Sequence, residues 1–313
     1  MAGNATTLSA LETQGVLPKP MAQEIIKKVN EDSVVQKLAG TIPMPITGST
    51  IAVQTGQAQA GIVGEGEAKP VTNAGVSTKT IKPIKAATIV YWSKEARLAN
   101  PLGYMDFLQE QLSGAITRAF DLAVLHGKNA INGQNISGVD FVNKTTKRVT
   151  LGTAKPAEGG LSTDILSGYD KVVSDEKDFD FTGFAADKRL RTQLMGQVDL
   201  QGRPIYSNPL NLADGFGNLH GLPVAYGKAV GGKIGSAADT NVRAFGGDFT
   251  TNLRYGFAEN ITFSRTDVAT IQDGATTVHL WQQNMEAFLV EAIFGWVITC
   301  LLYTSDAADD LLC

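Results

Sequence analysis

Three hundred and thirteen residues, 43% of them hydrophobic, are enough to bury a core as one large domain or two moderate ones, and too many for a small disulfide-stapled scaffold. Only 19% are charged, against roughly 25% in an ordinary soluble chain, so part of the surface is expected not to face water. The formal charge of −4 argues against a basic nucleic-acid-binding domain.

The first nineteen residues have no apolar period and read as a mobile arm. From Pro20 to Leu38, Met21, Ile25, Ile26, Val29, Val34, Val35 and Leu38 recur at mostly three- and four-residue spacing. An amphipathic helix is expected over the first half, stopped by Gly40, Pro43 and Pro45. Ser49–Gln54 reads as a strand, and Val76–Trp92, rich in β-branched and aromatic residues, as a longer one in which Pro83 marks an edge or a bulge. Between them lie five glycines (Gly56, Gly61, Gly64, Gly66, Gly75) and few large side chains, which predicts a long hairpin with a flexible tip. At ~3.3 Å per residue each arm reaches roughly 50 Å if extended, about the diameter of a compact globule of this length. An isolated two-stranded hairpin is marginal in water. Either a neighbouring molecule covers this one or it folds flat on its own domain.

Asn100-Pro101 predicts the start of the clearest helix, with an N-cap Asn and Pro at the first helical position. Met105, Leu108, Leu112, Ile116, Ala119, Ala123 and His126 form one stripe, and Gly127 is the candidate C-cap. A rod of roughly 39 Å follows from ~1.5 Å per residue. Beyond a Gly-rich polar stretch, a helix is expected from Thr163 to about Glu176, a strand at Phe181–Ala185 and a helix from Asp187 to about Gly196. The last third reads as meandering strands, with a strand or a helix at Met285–Ile298. Residues 299–313 hold Asp306, Asp309 and Asp310 and no basic residue; without them the formal charge is −1, from 27 basic and 28 acidic residues. They read as an acidic disordered terminus or, the reading favoured here, as translated sequencing-adapter read-through that is not native.

Chemical motifs are sparse. No run reaches the ~18 apolar residues of a membrane span, the longest being Ala292–Tyr303, and the first fifteen residues lack the pattern of a signal peptide. Both cysteines, Cys300 and Cys313, fall at the end, which excludes a disulfide framework or a Cys-based zinc site in the main body. His126, His220 and His279 are far apart and none has a ligand-type residue at i+4, so no metal or catalytic role is assigned to them. The Gly64/Gly66 and Gly215/Gly217 pairs lack the third glycine of a dinucleotide loop. Lys79, Lys82 and Lys85 alternate faces of a strand, and Lys188, Arg189 and Arg191 suit a solvated or subunit-contacting helix face. A carboxylate-based cytosolic enzyme stays open, because carboxylate separation is not readable from sequence. No catalytic, metal-ligating or cofactor-binding residue is assigned. A mobile arm, an outsized hairpin and a long rod helix suit a subunit built to interlock.

The stretch Ala60–Pro101, AGIVGEGEAKPVTNAGVSTKTIKPIKAATIVYWSKEARLANP, resembles the hallmark of tailed-phage major capsid proteins with the HK97 fold. Tyr104–Gly127 is similar to that family's spine helix, ADKRLRTQLMGQVDLQGRPIYSNP and LHGLPVAYG to its axial domain, and GGDFTTNLRYGFAENITFSRTD and QQNMEAFLVEAIFGWVI to its closing peripheral elements. The likeness spans about residues 20–298. It implies an α+β fold with an N-terminal arm (1–45), an extended E-loop hairpin (46–92) and a peripheral domain in two parts (93–135, with the spine helix at 101–126, and 246–298). An axial domain (136–245) is inserted between those parts, and 299–313 stand apart as a tail.

The implied function is a non-enzymatic major capsid protein whose hexamers and pentamers close into an icosahedral shell around double-stranded DNA, without sequence-specific binding. An encapsulin-like cellular nanocompartment shell is the alternative. The implied partners are copies of itself, a separate scaffold protein and a portal, with no membrane; the implied location is the virion, assembled in the host bacterial cytoplasm. Glu65, Glu67, Lys69 and Lys79 are the candidate inter-subunit contacts of the E-loop. Some relatives crosslink an E-loop lysine to a neighbour's asparagine; Lys69 and Lys79 are possible donors, and no matching asparagine is identified. The chain runs from Gly295-Trp296-Val297-Ile298 into the odd tail where the family usually carries a Pro-containing final strand, so the peripheral domain is expected to lack it.

Overall fold

The computed structural model describes residues 32–54, 58–72, 75–99, 103–155, 158–174, 180–199, 201–206, 216–299 and 303–307. A short helix α1 (Val34–Leu38) and strand β1 (Gly40–Thr41) lead into strands β2 (Ser49–Gln54) and β3 (Val76–Ile81). Strand β4 (Ile84–Ser93), α2 (Lys94–Ala99) and the long helix α3 (Tyr104–His126) follow. Next come β5 (Arg148–Leu151), α4 (Leu161–Val173), β6 (Gly183–Ala186), α5 (Lys188–Met195), β7 (Phe216–Leu219), β8 (Leu222–Tyr226) and β9 (Val242–Gly247). The last third holds α6 (Phe249–Asn252), β10 (Leu253–Thr266), β11 (Thr270–Asp273), β12 (Thr276–His279), β13 (Met285–Ile298) and β14 (Tyr303–Ala307). Among the described residues no helix is long and apolar enough to cross a membrane.

The chain gathers into two compact units, and the division falls inside α3, β10 and β13. One unit is built on Ile84–Ala119 and Glu259–Ile293. Here the antiparallel hairpin β11–β12 packs Val278 with Leu280, Met285 and Ala287, flanked by Tyr91, Ala269 and Ile271. The Tyr91 hydroxyl donates to Asp273 at 2.8 Å, and the Trp92 ring meets Phe288 edge-on at 4.6 Å.

The other unit comprises Ser33–Pro83, Phe120–Ala258 and the residues from Phe294. Its six-stranded sheet has the order β5-β14-β9-β6-β8-β7, with β6 and β8 parallel and β9 antiparallel to β6. Phe184 and Ala186, Val224 and Tyr226, and Ala244 lie on one face by the two-residue period of strands, and they share a core with Leu161, Ile165 and Val172 of α4 and Leu190 and Leu194 of α5. Both helices therefore cover the same face. The opposite face presents Phe245, cross-strand partner of Ala185, whose ring meets His126 at the end of α3 at 5.5 Å.

On α3, Leu108, Leu112, Ile116, Ala123 and His126 of the expected stripe are buried, while Met105 and Ala119 are only partly so; Phe120, outside that stripe, is buried in place of Ala119. The helix ends at Gly127, whose φ of +63° and N–H to the Ala123 carbonyl (2.9 Å) make the expected left-handed cap. Asn100-Pro101 lies outside the described residues, as does the arm and most of the helix expected from Pro20. The single strand expected over Val76–Trp92 is broken at Lys82-Pro83. Proline has no N–H for the ladder, so β3 stays with β2 while β4 joins a four-stranded sheet of order β1-β10-β13-β4. Met285–Ile298 is a strand, buried on both faces over its second half, which is why its apolar run shows no alternation. In the tail, the backbone of Tyr303–Ala307 forms β14, antiparallel to β9 and parallel to β5. Main-chain pairing of this kind reads no side-chain identity.

Candidate assembly surface

Strands β2 and β3 form an isolated two-stranded ribbon, in register from Ser49 opposite Ile81 to Gln54 opposite Val76. Its root is fixed by packing. Ile81 and Ile51 join Met44, Val297, Ile42 and Ala258 in one apolar cluster. Close approach there depends on Gly295, where a Cβ would stand 2.8 Å from Ile81 Cγ2. On the same face as Ile81, Lys79 is half-buried, and its ammonium donates to the carbonyls of Ile298 (2.6 Å) and Thr299 (3.4 Å).

Beyond the root the character reverses. Every residue from Ala58 to Thr72 is solvent-facing, and Ile62 and Val71 are fully exposed. What shapes this tip is turn chemistry. Glu67 N–H donates to the Gly64 carbonyl at 3.3 Å across a turn whose third residue, Gly66, has φ +84°, the type II geometry that favours glycine. The Glu67 carboxylate accepts the Gly64 N–H at 3.0 Å, and Gln59 N–H donates to the Thr72 hydroxyl at 3.0 Å across the two arms. Glu65, Glu67 and Lys69 are thus brought together, all exposed, at the tip, while Lys79 stands apart at the root.

A second apolar surface was not anticipated from the sequence. In the unit built on β4 and β13, Trp281 is 72% exposed, Leu98 74% and Val268 71%. Lys94 Nζ stands 5.6 Å from the Trp281 ring centre and 3.1 Å from Asp267, beside Val268. Leu98 lies one turn beyond Lys94 on α2. The one signal available in the sequence was a tryptophan set directly before the polar run Gln282-Gln283-Asn284. In the other unit, Leu166, Tyr169 and Val173 form an exposed stripe along α4, flanking the buried face of Ile165, Gly168 and Val172.

The histidines have structural surroundings. His126 is buried between the Val230 carbonyl and Asn143, and burial lowers its pKa to about 4. His220, with φ +51°, sits in the β7–β8 turn, 3.3 Å from the Tyr206 hydroxyl and 3.5 Å from Ser162, and burial lowers its pKa as well. His279 meets the Thr270 hydroxyl at 3.1 Å across the β11–β12 hairpin. Among the described residues no group of three or more His, Cys, Asp or Glu is placed to hold a metal ion.

Comparison with known proteins agrees with this geometry. The model of the phage capsid family matches residues 13–299. The probable major capsid protein gp17 of Mycobacterium phage L5 is 31% identical over 293 residues, covering 90% of this chain and 86% of the relative. A solved structure from Gordonia phage Cozz superposes with a TM-score of 0.80 at 30% identity, over 99% of this chain and 97% of that one. A structure from Mycobacterium phage Ogopogo, at 22% identity, shares the fold with a TM-score of 0.77 over 95% of this chain and 98% of that one. A match across nearly the whole length, in family model, sequence and structure alike, leads to one conclusion: the chain belongs to the phage capsid family.

Proposed function

We propose that this chain is a major capsid protein that self-assembles, as hexamers and pentamers, into the icosahedral shell of a phage virion enclosing double-stranded DNA. The observation that carries the reading is the β2–β3 ribbon, packed at its root and wholly exposed from Ala58 to Thr72, where Ile62 and Val71 face solvent beside the charged turn. Burying a side chain such as Ile62 or Val71 contributes roughly 1.5–3 kcal/mol, and the exposed positions are available to a neighbouring copy. Glu65, Glu67 and Lys69 then lie at that inter-subunit contact. The segments take the roles of arm (1–45), E-loop (46–92), peripheral domain (93–135 and 246–298) and axial domain (136–245). A scaffold protein and a portal complete the partners, and assembly takes place in the host cytoplasm. The phage relatives favour this reading over a cellular nanocompartment.

The test is assembly in the presence of the scaffold, imaged by negative stain, for the wild type and for Ile62→Asp/Val71→Asp. Because both positions are exposed, the variant's stability is expected to lie within about 0.5 kcal/mol of the wild type, yet it should form no closed shells. Normal shells from the double variant overturn the role of the tip, and a wild type that stays monomeric under all conditions overturns the shell reading itself.

A further inference from the structure

We infer that Lys79 is a positioning residue for assembly: its ammonium latches the ribbon to the point where the chain crosses between its two larger sheets, and so sets the direction of the tip. The inference rests on the shell reading and adds to it the device that aims the ribbon.

The chain leaves the six-stranded sheet after β9 and enters the four-stranded sheet at β10 through α6. The end of β13 is tied to this crossing. Thr299 N–H donates to the Asn252 carbonyl at 2.8 Å, and its hydroxyl donates to Asn252 Oδ1 at 2.5 Å. Asn252 Nδ2 in turn reaches Asp248 Oδ2 at 3.4 Å, and Asp248 Oδ1 caps α6 by accepting the Thr251 N–H at 3.0 Å. Into this junction Lys79 places its ammonium, on the carbonyls of Ile298 and Thr299.

The chemistry suits a latch rather than a glue. A compact ammonium on a flexible stem can direct several donors at adjacent carbonyls, and carbonyls are present whatever side chains the crossing carries. Ile81, two residues nearer the root on the same face, packs in the apolar cluster. The hydrophobic effect that buries Ile81 is by itself non-directional; the paired hydrogen bonds of Lys79 add a directional constraint to the packing at the root. Leverage makes that constraint matter. Gly66 lies thirteen residues beyond Lys79, at most about 43 Å of extended chain, so a swing of about 10° at the root carries the tip roughly 7 Å.

The test uses the full chain with Lys79→Met, which keeps the stem and removes the donors, and Lys79→Arg, which restores them. Amide hydrogen exchange on the unassembled subunit is expected to quicken about five-fold or more at 49–54 and 76–81 in Lys79→Met, with the rest unchanged, and closed-shell yield to fall several-fold. Lys79→Arg is expected to recover most of both. Thr299→Val, which removes the hydroxyl bond to Asn252 and leaves in place the backbone carbonyls that Lys79 uses, should quicken exchange at 76–81 as well, and it keeps the question answerable if Lys79→Met does not fold. Unchanged exchange in both Lys79→Met and Thr299→Val overturns the latch, and so does faster exchange with undiminished shells. A wild type that forms no shells overturns the shell reading instead, and the exchange result then decides the latch by itself.

Discussion

The Asp121 carboxylate on α3 accepts the backbone N–H of Val34 at 2.8 Å, across 87 residues of sequence. It also accepts the Val35 N–H at 3.4 Å and the Ser33 hydroxyl, while Ser33 Oγ accepts the Gln36 N–H at 3.0 Å. Five-residue α1 is too short to persist alone. Its N-terminal N–H groups are satisfied by a residue of its own cap and by a buried anion from another helix, which also favours the positive end of the helix dipole.

Asp121→Ala is therefore expected to lower subunit stability by about 2–4 kcal/mol, since it strands buried donors, and Ser33→Ala by about 1 kcal/mol. Because the two side chains share one network, the double variant should lose less than the sum. Urea unfolding of the four proteins checks this, and strict additivity would contradict the shared cap.

The sequence reading succeeded where one local rule sufficed. Gly127 ends α3 as its capping chemistry demands, and Asp187 and Gly196 bracket α5, with the Asp187 carboxylate accepting the Arg189 N–H at 2.8 Å. Pro83 was legible as an interruption, but not that the halves on either side of it enter different sheets, because sheet partnership is a long-range matter. Lys79 and Lys69 look alike in sequence; only tertiary placement makes one a half-buried donor and leaves the other at the tip. The Asp121 cap had no local signal at all, since its partners are 86 to 88 residues away.

His126 gives a prediction with a sign. Its Nε2–H donates to the Val230 carbonyl at 2.8 Å while Nδ1 accepts from Asn143 at 3.2 Å, so the folded ring is neutral. Burial, the largest cause, lowers its pKa from 6.5 to about 4. The unfolded chain thus binds more protons between those values, and the stabilisation, present in full above about pH 6.5, is lost as pH falls toward 4. The size is roughly 3 kcal/mol. His126→Gln, which retains a donor for Val230, should flatten the stability–pH curve over that window by up to one proton; identical slopes for variant and wild type would refute the assignment.

Glu286 is 3% exposed and holds two arginines, Arg265 on Oε1 at 2.7 Å and Arg97 on Oε2 at 2.9 Å. The arginines themselves remain partly in water, which screens the attraction. Glu286→Gln keeps the shape and removes the charge, and about 1–2 kcal/mol of stability should be lost, less than for a fully buried pair. Asp140→Ala, which removes only the exposed i,i+4 pair with Lys144, should change stability by less than about 0.5 kcal/mol. Thermal unfolding of both variants distinguishes them, and equal losses would mean that burial of Glu286 contributes nothing.

Trp281 is held outward by a hydrogen-bonded turn. Leu280, fully buried, donates its N–H to Ala269 at 3.0 Å and accepts that of Met285 at 2.8 Å, and Gln283 N–H reaches the His279 carbonyl at 3.0 Å. An indole presented at little further entropic cost, against the Lys94 ammonium and in the same unit as exposed Leu98 and Val268, has the makings of an interface anchor. Within the subunit its ring meets the Lys94 ammonium at a solvent-exposed position, so Trp281→Ala should cost less than about 1 kcal/mol of subunit stability. Across a contact between copies the same change should weaken binding by about 2 kcal/mol or more, raising the protein concentration needed for shell formation by roughly ten-fold or more. Trp281→Phe, which keeps an aromatic ring, should fall between. Light scattering across a concentration series measures the threshold, and if Trp281→Ala assembles at the wild-type concentration, this surface faces solvent in the finished particle.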